Sequence, residues 1–152
     1  MYITIHAAIG AAAAAAVTKD PVAAFGLGWF LHYVADLVPH GDEAAGEWCR
    51  RGRSEVRRYA LLAGIDGLAL AGLLGVDYWR HGLNLVVLAA AAGSVLPDAM
   101  WGLETVVGKK LFGPFQRFHS YVHNHFRIRL PWPAGLLLQG GLAAILWWCL
   151  IR

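Results

Sequence analysis

Five apolar stretches of helical length constrain the fold of this sequence more than any other feature. They cover residues 3–17, 22–38, 59–76, 83–101 and 134–151. A helix that crosses the ~30 Å hydrocarbon core of a bilayer needs about 20 apolar residues, so the first stretch is short. The chain is 58% hydrophobic and has a mean hydropathy of +0.49, which is too apolar for a soluble domain of this length. We therefore predict an all-α, polytopic membrane bundle of about five transmembrane helices, forming a single integral membrane domain over residues 1–152.

Local signals mark where these helices begin and end. Pro21 in "TKDP" is placed to start the second helix, Pro39 follows its end, and "RLPWP" precedes the last helix. The first stretch has no Lys or Arg before Lys19, unlike a signal peptide, so we expect a retained, Ala-rich helix that depends on its neighbours to stay inserted. Residues 104–126 are aromatic, basic and too polar to span, which predicts an interfacial helix or helical hairpin.

The basic residues predict an orientation. With five spans, one side of the membrane carries ten of them, namely Arg50, Arg51, Arg53, Arg57, Arg58, Lys109, Lys110, Arg117, Arg127 and Arg129. The other side carries Lys19, Arg80 and Arg152. The positive-inside rule then places the N-terminus on the cytoplasmic side of a bacterial-type inner membrane, and the C-terminus on the opposite side.

The cluster "CRRGRSEVRR" has two interpretations. It is either a topology signal or a patch that binds anionic lipid headgroups or a phosphorylated substrate. Because topology already accounts for the charge, we expect membrane lipids as partners and no nucleic acid. Cys49 and Cys149 are far apart and form no CxxC motif, so neither a disulfide nor a cysteine metal site is expected.

Apart from Asp77 and His81 on the far side, the plausible His, Asp and Glu ligands in or beside the apolar segments fall near one predicted membrane surface. They are His6, His32, Asp36, His40, Asp42, Asp66, Asp98, Glu104, His119, His123 and His125. An acidic or basic side chain at a helix centre costs roughly 2.5 to 3.5 kcal/mol on insertion scales, so such residues usually face the bundle interior with a partner. Their common depth predicts a shared polar site. Individually, Asp66 could instead be a polar contact between helices, and Asp98 could cap a helix.

The spacing within this layer favours a metal. His32 and Asp36 are separated by four residues, as are His119 and His123, so each pair can lie on one helical face. Mixed imidazole and carboxylate ligands suit Zn, Mn or Fe. We predict a divalent metal site, with Zn or Mn favoured, whose ligands are His6, His32, Asp36, Asp98, His119 and His123.

Four motifs carry a family resemblance: "IHAAIGA", "HYVADLVPHGD", "GSVLPDAM" and "HSYVH". Together they cover most of the chain, and they resemble the inner-membrane-associated metal-dependent hydrolases called the YdjM-like or LexA-binding family. The resemblance implies hydrolase activity. By position it favours His6, His32, Asp36, His40, Asp42, Asp98, His119 and His123.

These observations lead to one main functional hypothesis. A hydrolase at the cytoplasmic membrane face would act on a lipid-like phosphoester or ester, with metal-activated water as nucleophile. Asp42 and His40 would accept or return the proton, and Arg50, Arg51 and Arg53 could hold a phosphate.

Two alternatives stay open. One is a non-catalytic membrane subunit whose polar layer fixes helix packing or docks a partner protein. The other is haem or pigment ligation by His32.

Overall fold

The chain folds into α-helices throughout the part that the structure describes. A computed structural model describes residues 1–41, 43–50, 54–125 and 130–151. Seven helices follow one another in these ranges: α1 Ile3–Val17, α2 Pro21–Asp36, α3 Glu43–Arg50, α4 Glu55–His81, α5 Leu85–Val107, α6 Gly113–His123 and α7 Trp132–Ile151. The predicted all-α class is confirmed.

The predicted number of about five transmembrane helices is not confirmed. Among the described residues, three helices are long and apolar enough to cross a membrane: α4, α5 and residues Trp132–Leu150 of α7. The helices α1 and α2 have 15 and 16 residues, so each is only about 22 to 24 Å long, against a hydrocarbon core of ~30 Å. A membrane-embedded bundle is compatible with these lengths, with α1 and α2 as its shorter helices.

The Ala-rich helix α1 packs against four other helices, α2, α4, α5 and α7. Four of its alanines, Ala7, Ala8, Ala11 and Ala14, have no exposed surface. Small side chains let helix backbones approach closely, which is what holds helices together where lipid tails are as apolar as the side chains. The helix α1 is therefore enclosed by its neighbours, and its dependence on them for membrane insertion stays a prediction.

Glycines bring α2 and α5 into backbone contact. A Cβ atom on Gly28 of α2 would overlap the carbonyl oxygen of Ala90 in α5, and one on Gly93 of α5 would overlap that of Phe25 in α2. The buried hydroxyl of Ser94 donates a hydrogen bond of 3.1 Å to the carbonyl of Gly28. These contacts fix the two helices that carry three of the six predicted ligands, His32, Asp36 and Asp98.

Short connections decide which helix ends lie together. The turn at residues 18–20 makes α1 and α2 antiparallel, and Asp20 caps α2 by accepting a hydrogen bond of 2.9 Å from the amide of Val22. Pro21 is the first residue of α2, as predicted. The start of α1 therefore lies beside the end of α2, which brings His6 near Asp36 although 30 residues separate them in sequence.

The segment predicted to be interfacial has two parts. The helix α5 continues to Val107, and α6 then packs on α2 and α5 with His119 and Val122 buried. Glu104 holds the connecting turn, because its Oε1 accepts hydrogen bonds from the amides of Leu111 (2.6 Å) and Phe112 (2.5 Å). The outer face of α6 exposes Phe115, Phe118 and Tyr121.

Candidate metal centre

The carboxylate of Asp36 lies at the centre of a cluster of imidazoles. Its Oδ2 is 3.2 Å from Nε2 of His32 and 3.2 Å from Nε2 of His119. Its Oδ1 is 3.1 Å from Nε2 of His6. The side chains of Asp36, His6 and His32 are fully shielded from solvent. Three helices, α1, α2 and α6, thus direct one ring nitrogen each at a single buried carboxylate.

A second carboxylate, that of Asp98 in α5, faces the same cluster from the other side. Its Oδ1 is 3.5 Å from Nε2 of His119, and its Oδ2 is 3.9 Å from Nε2 of His6. Unlike Asp36, the side chain of Asp98 is 23% exposed. The carboxylate of Asp98 therefore contacts the buried cluster and is also accessible from outside it.

The separations between these atoms fit a tetrahedral metal site. Ligand atoms about 2.0 to 2.2 Å from a tetrahedral ion are roughly 3.3 to 3.6 Å from one another. The Nε2 atoms of His32 and His119 are 3.3 Å apart, and each is 3.2 Å from Oδ2 of Asp36. These three atoms form a nearly equilateral triangle of the size that one face of such a site requires.

Hydrogen bonding sets the tautomer of His32. Its Nδ1 lies 2.8 Å from the carbonyl oxygen of Ser94, and because a carbonyl can only accept, Nδ1 carries the proton. The lone pair of the neutral ring is then on Nε2, which faces Asp36 and His119. Metal-ligating histidines usually donate their second ring N–H to a carbonyl or carboxylate in this way. Sequence reasoning missed Ser94, whose contribution is a backbone carbonyl that any residue type could supply.

His6 is the least satisfied group of the cluster. Its ring stacks on that of His32, with centroids 4.0 Å apart. Among the residues that the structure describes, neither ring nitrogen of His6 has a hydrogen-bond partner, although the residue is only 1% exposed. Its Nε2 is close enough to Asp36 for an ion pair but is not aligned for a hydrogen bond. A bound cation would supply the missing partner, so the residues present fit a metal.

A second group of possible ligands shares Asp36. One ligand atom each from Asp36, His40 and His123 lies within 4.8 Å of the others. Nδ1 of His40 donates to the carbonyl of Val38 at 2.6 Å, so the lone pair of this ring is also on Nε2. That Nε2 accepts a hydrogen bond of 2.7 Å from the α-amino group of Met1, which also lies 3.4 Å from Oδ1 of Asp36. A carboxylate common to two groups could bridge two ions.

The structure thus brings together His6, His32, Asp36, His40, Asp98, His119 and His123. Asp42, predicted as a proton carrier, lies outside the described residues, as do Arg51 and Arg53. Gln139, a buried polar residue of the apolar helix α7, was missed by sequence reasoning. Its side chain donates to the carbonyl of His40 at 2.7 Å and accepts from the amide of Tyr2 at 3.0 Å. A lone amide inside a predicted span was the signal available for it.

Asp66 is a helix cap, which matches the structural interpretation of this residue. Its carboxylate accepts hydrogen bonds from the amides of Ile3 (2.6 Å) and Thr4 (3.1 Å) at the start of α1. A carboxylate is favourable at a helix N-terminus because it satisfies free amides and complements the helix dipole. Asp66 thereby positions the helix that carries His6.

A cavity of about 640 Å³ adjoins the cluster. Three residues of the ligand set, Asp98, His119 and His123, line this cavity. Arg50 of α3 also lines it. Most of the remaining lining comes from α4 and α5. The buried ligands thus have access to a space large enough for an organic molecule.

No protein-family model, curated protein or solved structure matches this chain.

Proposed function

We propose that this protein is a membrane-bound, metal-dependent hydrolase that acts on a lipid-like phosphoester or ester. The observation that carries the proposal is the set of imidazole and carboxylate atoms at tetrahedral separations, one of which, from Asp98, faces a cavity. A cluster that served packing alone would be expected to hydrogen-bond its buried polar atoms, and among the described residues neither ring nitrogen of His6 has an aligned hydrogen bond.

The residues divide into three roles. Asp36, His32 and His119 would hold a divalent ion such as Zn or Mn, with His6 and Asp98 completing the set. When bound, such an ion activates water at neutral pH and polarises the bond to be cleaved. Ser94 fixes the ring of His32 through its carbonyl, and Asp98 orients toward the cavity, where substrate would lie.

The proton would be carried by a group beside the primary ligands. Nε2 of His40 accepts its hydrogen bond from the protonated α-amino group of Met1, with which it can exchange a proton, and the ring lies 4.9 Å, centroid to centroid, from His123. We propose His40 as the group that accepts or returns the proton, or as a ligand if two ions bind. The site would lie at the cytoplasmic face, as the distribution of basic residues predicts.

The first experiment is metal analysis of the purified protein. We expect one or two equivalents of a transition metal in the wild type, and a loss of at least one equivalent in His32→Ala and Asp36→Ala. The matched control is His81→Ala, because His81 pairs with Asp77 at the opposite end of α4. Absence of bound transition metal from the wild type would overturn the mechanism.

A non-catalytic membrane subunit is the second candidate. It is favoured by the surroundings of Asp36, since three imidazoles and the α-amino group of Met1 could balance its charge without a metal. For this function, substitutions in the cluster would lower thermal stability equally with and without added metal. Hydrolysis of a phosphomonoester lipid by the wild type and not by His32→Ala would exclude it.

A further inference from the structure

The cavity beside the metal centre lies between two helices that are close in sequence and nevertheless separate in space. The helices α4 and α5 are joined by the short connection 82–84, yet along their length they make few contacts, because α1 packs against both. The cavity occupies this gap. It is lined by the first half of α4, including Val56, Ala60 and Ala63, and by the second half of α5.

Both walls belong to helices that are apolar and long enough to cross a membrane. Ala60 and Ala63 of α4 and Trp101 of α5 belong to the apolar stretches 59–76 and 83–101, line the cavity and are exposed. If these helices are embedded, exposed apolar side chains at the edge of a cavity face lipid chains rather than water. The gap between α4 and α5 would then open sideways into the bilayer.

An aromatic pair crosses the gap. The rings of Tyr59 in α4 and Trp101 in α5 meet edge to face, with centroids 5.1 Å apart, and both residues line the cavity. Nη1 of Arg50 lies 3.5 Å from the hydroxyl of Tyr59. A guanidinium is well suited to hold a phosphate by paired hydrogen bonds. The cavity therefore combines apolar walls, a cation and the metal-facing carboxylate of Asp98.

Two of the three acidic residues of the lining make their contacts away from Arg50. Asp66 already accepts two hydrogen bonds from the start of α1, where the helix dipole also offsets its charge. Asp98 faces His119 and His6 of the cluster. Glu47 also lies on the lining, one helical turn before Arg50 in α3.

From this arrangement we infer that the substrate is a phospholipid-like amphiphile that enters from the bilayer between α4 and α5. Its hydrocarbon chain lies against the apolar walls, and Arg50 binds its phosphate. The inference rests on the proposed function for the fate of the bound lipid. Binding itself requires only the cavity and Arg50.

The lining offers a matched pair of substitutions. A Cβ on Gly102 of α5, which lines the cavity, would meet no atom within 4 Å, so Gly102→Leu adds a side chain to the cavity lining at an open position. Gly64 of α4 is equally open and lies outside the lining, so Gly64→Leu makes the same change on the outer surface. Arg50→Gln removes the charge from an exposed side chain.

The experiment measures lipid binding by native mass spectrometry of the full chain in detergent, at whatever metal content it is purified with. The probes are phosphatidic acid, diacylglycerol and inorganic phosphate. We expect wild type and Gly64→Leu to retain phosphatidic acid, and both Gly102→Leu and Arg50→Gln to bind it about tenfold more weakly, a loss of about 1.4 kcal/mol. Diacylglycerol should bind more weakly than phosphatidic acid, and inorganic phosphate should not displace the lipid.

Equal binding of phosphatidic acid by wild type, Gly102→Leu and Arg50→Gln would overturn the inference. So would full displacement of the lipid by inorganic phosphate, which would identify free phosphate as the ligand. Lipid binding by a protein without metal would contradict the proposed hydrolase and leave this inference standing. Bound metal in a protein that binds no phosphatidic acid would overturn this inference and leave the metal centre of the proposed function standing.

Discussion

At the residue scale, a substitution of His6 can distinguish two hypotheses, that the cluster is a metal centre and that it is a structural polar layer. A buried group without a hydrogen bond is unfavourable, and replacing it by an apolar side chain of similar size can be nearly neutral. A metal ligand behaves differently, since its loss weakens the stabilisation that the ion provides. The two roles therefore predict different effects of a single substitution.

We expect His6→Leu to change the free energy of unfolding of the EDTA-treated protein by less than about 1 kcal/mol. For the wild type, metal at ~100 times its dissociation constant should add about 2.7 kcal/mol, and this gain should shrink in His6→Leu. Thermal unfolding with EDTA and with added Zn or Mn measures both quantities, and His81→Leu is the control. An undiminished metal-induced gain in His6→Leu would show that His6 is not a ligand.

At the scale of helices, the contact between α2 and α5 sets the geometry of the site. His32 and Asp36 lie on α2, whereas Asp98 and the Ser94 carbonyl that orients His32 lie on α5. The separation of these two helices is fixed by glycines whose Cβ positions are filled by the neighbouring backbone. Packing in the middle of the helices thus controls distances at their ends.

Two glycines of α2 test this coupling. A side chain on Gly28 would collide with Ala90, whereas a Cβ on Gly26 would meet nothing within 4 Å. Gly28→Leu should destabilise the bundle by about 1 to 3 kcal/mol or more through overpacking and should also reduce bound metal. Gly26→Leu should do neither. Thermal unfolding and metal analysis of both variants provide the measurement, and equal effects of the two substitutions would contradict the proposed coupling.

At the scale of the whole molecule, the distribution of basic residues predicts how the bundle is oriented if its long helices span a membrane. If α5 spans, Leu83 before its start and Lys109 after its end lie on opposite sides, and both are exposed. The excess of basic residues predicts that Lys109 is cytoplasmic.

Single cysteines at these two positions, in a Cys49→Ala and Cys149→Ala background, would test the orientation. In intact cells, a maleimide that cannot cross the inner membrane should label Leu83→Cys and leave Lys109→Cys unlabelled until the membrane is permeabilised. Labelling of Lys109→Cys alone would reverse the orientation and place the metal centre on the outer side. Labelling of both would show that α5 does not span.

Much of this organisation follows from local sequence patterns. Three features depend on residues that are close in sequence. They are the helix boundaries at Pro21 and near Pro39, the capacity of α4, α5 and α7 to cross a membrane, and the pairing of His32 with Asp36. Hydrophobicity, proline geometry and the helical repeat act over such distances, so the sequence alone determined them.

Other features were decided only by the tertiary structure. Hydropathy does not distinguish Asp66, which caps α1, from Asp98, which joins the cluster, because both are single carboxylates in apolar helices; only the family resemblance of "GSVLPDAM" favoured Asp98. Their roles depend on which helix end each one meets, and that depends on the close packing of glycine and alanine faces. The same packing placed the carbonyl of Ser94 against the ring of His32 and the side chain of Gln139 against the backbone of His40, and it left α4 and α5 apart beside the candidate metal centre. Contacts between distant segments have no signature in either segment alone.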